Sequence, residues 1–137
     1  MSKHKQILKY ALWILLFLTT FSAGLWLSNK LSYDFKTLDG TKYKYSDLKG
    51  NIVVMNYFAQ WCAPCLREIP ELNEFYHQAN ENVKLFAVSF DNLSLKQLEQ
   101  LKIKYNIEFP LIAELKNEFP FAKPEYLPAT YYANMAS

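Results

Sequence analysis

The run from Asn51 to Phe58 passes within three residues into Trp61-Cys62-Ala63-Pro64-Cys65, and this junction constrains the fold more than any other stretch. Ile-Val-Val-Met followed by aromatic residues is apolar on both faces, as expected of a central strand covered on both sides. From Cys62 to about Ala79, Leu66, Ile69, Leu72, Phe75 and Tyr76 recur at helical spacing, with Arg67, Glu68, Glu71 and Glu74 between them. Pro70 is expected to kink this helix, because it lacks an amide proton and crowds the preceding turn. The two cysteines therefore stand where a buried strand becomes a helix.

Downstream, Val83 to Phe90 reads as a second core strand and Ser94 to Tyr105 as a second helix, which gives a right-handed βαβ order with a parallel strand pair. Upstream, Phe35–Leu38 and Thr41–Tyr45 flank Asp39-Gly40, a pair suited to the positive φ angles of a hairpin turn. Ser46 to Gly50 reads as a capped turn ending at glycine. Phe109–Ala113 is a short strand or extended loop, Glu114–Pro124 is undefined, and Thr130–Ala133 is a further strand introduced by Leu127-Pro128. The class is α/β.

A thiol at the start of a helix faces unpaired amide protons and the positive end of the helix dipole, which stabilise a thiolate. Cys62 is accordingly the expected nucleophile. Cys65, one turn later, is placed to resolve a mixed disulfide while sheltered from substrate. Pro64 fits the first turn, where its missing donor is not needed. A zinc half-site shares the spacing, but four ligands are usual and only His4 and His77 remain, so no metal or other cofactor is expected. A single-cysteine peroxidase leaves the position of the second cysteine unexplained. Trp61 either shapes a docking surface over the motif or simply packs in the core.

Tyr10 to Leu27 is an 18-residue stretch without a charge, roughly 27 Å long as a helix and close to a bilayer's hydrocarbon thickness. Lys3, Lys5 and Lys9 precede it, so the positive-inside tendency keeps the N-terminus in the cytoplasm and exports the chain beyond Leu27. A cleaved signal peptide ending near Ser22-Ala23-Gly24 is the alternative, and it exports the domain equally. The organisation expected is an anchor or signal over residues 1–30 and a folded domain over 31–137. All 13 acidic residues lie from Asp34 onward, against eleven basic ones from position 31, a balance of −2 that gives no reason to propose nucleic-acid binding.

Asn51 to Pro70, together with Asp39-Gly40, Leu48-Lys49-Gly50 and Leu127-Pro128-Ala129-Thr130, resembles the TlpA/ResA branch of the thioredoxin-like family. The resemblance extends over essentially everything after Tyr33. It implies a thioredoxin-like fold, a central mixed sheet flanked by helices, with an N-terminal β-hairpin and a single transmembrane helix. It also implies a protein disulfide reductase acting on the periplasmic or extracellular face of the cytoplasmic membrane. Exported protein thiols, as in apocytochrome c maturation, would be substrates, and a membrane-embedded partner would donate electrons. Cys62 corresponds to the attacking thiol and Cys65 to the resolving one. Pro128 matches the cis-proline that offers the backbone of Leu127 to an extended substrate, or else it is a strand-start proline; Trp61, Ala63 and Pro64 complete the substrate-facing set. Glu68 matches an acidic residue acting in proton transfer, nearer to Cys65 than Asn56, or else it is a solvated helix glutamate. The family continues past the strand after the cis-proline into an edge strand and a final helix, so a domain incomplete at its C-terminal end is expected.

Two other functions fit the sequence: a truncated noncovalent binding module for thiol proteins, and a metal chaperone using the two thiolates.

Overall fold

The computed structural model describes residues 2–120 and 122–135, in two units, residues 1–32 and 33–137. The first unit is helix α1, Ser2–Leu31, whose stretch Lys3–Ser28 is long and apolar enough to cross a bilayer. It fits a membrane anchor or a signal segment.

The second unit is built around β3, Ile52–Phe58. β3 pairs in parallel with β4, Val83–Ser89, in the register Ile52↔Val83 to Phe58↔Ser89. On its other side it pairs antiparallel with β6, Ala129–Asn134, from Ile52↔Asn134 to Tyr57↔Ala129. Helix α2, Ala63–Gln78, connects β3 to β4 and runs through Pro70 as one element. The parallel pair and its connecting helix are the expected βαβ unit.

A further set of strands has the order β2-β1-β5, from β1 (Phe35–Thr37), β2 (Lys42–Tyr43) and β5 (Ile112–Leu115). The β1/β2 turn carries Gly40 at φ +92°, and Thr41 Oγ1 donates to the Asp39 carboxylate at 2.8 Å. Hydrogen bonds from Thr37 and Thr41 hold the Asp39 carboxyl below its ordinary range. The mixed arrangement of parallel and antiparallel strands is the one expected, divided into two three-stranded parts that meet at an isolated bridge, Ala87↔Leu111. Pro110 leaves only a carbonyl for this junction, and it accepts from Ala87 N at 2.8 Å.

The alternation of β3 explains why its sequence is apolar throughout. Val54 and Phe58 pack with Leu85, Ala87, Ile69 and the cysteines, whereas Val53, Met55 and Tyr57 pack with Phe35, Leu48, Phe86 and Ile112. Each buried side chain of this kind contributes about 1.5–3 kcal/mol. Helix α3, Leu95–Lys104, starts at a capping box in which Ser94 and Gln97 satisfy each other's backbone amides.

Asn73 is buried on α2 and ties that helix to the segment after α3. Its Nδ2 donates to the Asn106 carbonyl at 2.7 Å, and Glu108 N donates to its Oδ1 at 3.0 Å. Asn106 has φ +50°, a conformation asparagine tolerates better than most residues. Strand β6 closes one margin of its sheet with alternating half-buried and exposed residues, and Tyr132 is 82% exposed.

Candidate active site

Cys62 and Cys65 are joined by a disulfide with an S–S distance of 2.06 Å. Cys62 is the N-cap of α2, and its Sγ accepts a hydrogen bond from Cys65 N at 3.3 Å. Pro64 occupies the first turn, where no intrahelical partner for its nitrogen is needed. The sulfur of Cys62 thus sits at the amide-rich end of the helix, where negative charge is favoured.

Cys62 is more enclosed than a reacting thiol at a helix start suggests. Cys62 keeps 5% of its surface and Cys65 none, so the exposure that remains belongs to the first sulfur's residue. The enclosure comes from Phe58, Ala59, Ile69 and Leu98 in the same apolar cluster, with Leu66 and Leu127 packed on it.

Trp61 does not pack into the core. It is 63% exposed, lies edge-on to Phe90 with ring centroids 6.2 Å apart, and donates from Nε1 to the Asp91 carboxylate at 3.0 Å. Ala63 and Pro64 are exposed beside it.

The Leu127–Pro128 peptide is cis. Its position follows from register, because Ala129 opposes Tyr57 at the end of β3 that leads to Cys62. Leu127 packs against both clusters, including the one that holds the cysteines. Strand register and packing therefore bring Leu127 and Pro128 to the cysteine end of the sheet.

Glu68 is half-buried on α2, one turn beyond Cys65. Asn56 is buried, and its Nδ2 donates to Thr130 Oγ1 at 3.0 Å, which fixes it to β6. Burial beside Tyr131 pushes the Tyr57 hydroxyl up to about 12. His77, away from the cysteines, meets the Glu108 carboxylate, which also accepts from Asn106; these bonds hold Glu108 below its usual range. Among the described residues, no group of three or more His, Cys, Asp or Glu side chains converges as a metal site.

Sequence reasoning did not find Asp91 or the cleft behind it. This cleft, about 760 Å³, lies between Val88–Leu93, β5 and residues 118–120, 122 and 123. The Asp-Asn pair after β4 carries no spacing that would have linked it to Trp61.

The profile of the AhpC/TSA family matches residues 29–122. The thioredoxin-like protein YneN of Bacillus subtilis is 31% identical over 86 residues, 61% of this chain and 51% of that protein. The thiol-disulfide oxidoreductase ResA of Bacillus cereus is 35% identical over 75 residues, 54% of this chain and 43% of that protein. The chain thus spans about half the length of these curated relatives. In fold it is similar to MTB dsbF, solved in mixed oxidised and reduced forms, at a TM-score of 0.59 and 21% identity over 78% of this chain and 81% of that one.

Proposed function

The chain belongs to the AhpC/TSA family, and from that premise we propose that it exchanges thiols and disulfides outside the cytoplasm, with Cys62 and Cys65 as the working pair. The observation that carries this reading is the disulfide at the start of α2, with the Cys65 amide directed at Cys62 Sγ and all remaining cysteine exposure on Cys62. The names of the relatives, a thioredoxin-like protein and a thiol-disulfide oxidoreductase, point the same way.

In the reducing direction the Cys62 thiolate attacks one sulfur of a substrate disulfide, forms a mixed disulfide and releases the other substrate sulfur as a thiolate. The Cys65 thiolate then attacks Cys62 Sγ, which restores the Cys62–Cys65 disulfide and frees the second substrate thiolate. Two electrons pass to the substrate, and a dithiol donor at the membrane returns them. Cys65 must lose a proton for the second step, and Glu68, one turn along the helix, is the carboxylate assigned to take it. The backbone of Leu127, before Pro128, lines the path of an extended substrate next to Trp61, Ala63 and Pro64. Exported polypeptides with paired cysteines, such as apocytochrome c, are the substrate class.

Lys3, Lys5 and Lys9 before the apolar stretch support an N-terminus in the cytoplasm and a domain outside. A membrane-impermeant thiol reagent should therefore label the reduced protein in intact spheroplasts. Absence of labelling until the membrane is opened would reject the export assignment.

Cys65→Ser tests the chemistry. The variant should accumulate mixed disulfides through Cys62, whereas a noncovalent binder would form none.

A further inference from the structure

The cleft beside Trp61 opens a question of substrate choice. Among the described residues, its lining combines apolar side chains, including Phe90, Leu93 and Phe119, with Asp91, Glu114 and Glu118 and a single cation, Lys123. Lys123 is turned onto the wall: its Nζ donates to the Phe90 carbonyl at 2.8 Å and lies 4.1 Å from the Phe90 ring centre. Glu114 accepts from the Tyr33 hydroxyl, a neutral partner. Lys42 and Lys116 lie over the Tyr33 ring but do not line the cleft. The described lining thus holds three carboxylates against one ammonium.

The cleft adjoins the cysteines through one side chain. Phe90 and Asp91 are part of its wall, and both touch Trp61, the residue before Cys62. An extended polypeptide advances ~3.4 Å per residue, so a segment that leaves Cys62 across Trp61 reaches the cleft within a few residues of its own cysteine. An apolar floor with an acidic rim suits a long side chain that lays its methylenes on rings and ends in a cation.

We propose that this cleft is a docking subsite for a lysine or arginine side chain close to the reacting cysteine of the substrate polypeptide. The proposal rests on the exchange reading above and narrows it to substrates with basic residues beside the cysteine.

The test uses the full chain in detergent and two disulfide-linked peptide pairs that differ only in lysine or glutamate at positions two to four from the cysteine. Reduced protein should react with the lysine pair at least about tenfold faster, a difference that added salt compresses by screening. Glu118→Lys, on an exposed loop position, should erase the preference, and Glu118→Gln should reduce it, while the rate with uncharged hydroxyethyl disulfide stays unchanged. Equal rates for the two peptides, a preference for the glutamate pair, or a lysine preference that survives Glu118→Lys would each overturn the subsite. A second measurement needs no exchange: titration of the oxidised protein with cysteine-free lysine or glutamate peptides, read by Trp61 fluorescence against a Trp61→Phe blank. Selective lysine-peptide binding with no reaction toward hydroxyethyl disulfide would sink the exchange reading and keep the subsite. Normal exchange without selective binding would do the reverse.

Discussion

The two flanks of β3 have the same central strand and opposite fates. On the β4 side, Leu85, Phe86 and Ala87 are at most 2% exposed, enclosed by α2 and α3 on one face and the β1/β2 hairpin on the other. On the β6 side, Ala129 and Tyr131 pack toward the hairpin cluster, while Tyr132, on the opposite face, is 82% exposed. Pairing alone does not bury a strand. What covers each face decides, and the cysteines draw on the flank that is covered twice.

Stability should divide along the same line. Phe86→Ala is expected to cost about 3–5 kcal/mol, whereas Tyr132→Ala should stay within about 0.5 kcal/mol, both by denaturant titration. Similar losses at the two positions would break the comparison.

The hairpin face also sets the alkaline limit. Burial pushes the Tyr45 and Tyr57 hydroxyls up to about 12, from an ordinary value near 10. The folded protein then holds protons that the unfolded chain gives up. Stability should be flat below pH 10 and fall as pH rises through 12. Tyr57→Phe should make that fall shallower, as measured by urea midpoints across the range.

On the helical face, Asn73→Ala leaves the Asn106 carbonyl and the Glu108 amide without their partner and should cost about 1–3 kcal/mol. Smaller again, Ser94→Ala removes one half of the α3 capping box, for about 1 kcal/mol in thermal unfolding.

Local chemistry was the part of this fold that the sequence made legible. Asp39-Gly40 announced its turn, the apolar run its central strand, and the cysteine spacing its helix start, because each depends on neighbours within a few residues. The pairing of β5 with β1 was not readable, since Phe35 meets Leu115 across the length of the domain and neither residue specifies the other. Nothing in the spacing of the helix marks Asn73 as buried, for its partners are Asn106 and Glu108 and arrive only with the tertiary fold. At the candidate site, the cysteine pair and the cis bond at Leu127-Pro128 could be named in advance. Asp91 could not, because its link to Trp61 depends on where β4 ends.

Alkylation of the reduced protein tests the central claim most directly. A mass-tagged thiol reagent, applied over pH 5 to 9 and read by peptide mass, should modify Cys62 first, with a midpoint below the ordinary thiol value near 8.5, while Cys65 resists until the fold is opened. Equal modification of the two sulfurs, or Cys65 reacting ahead of Cys62, would contradict the account.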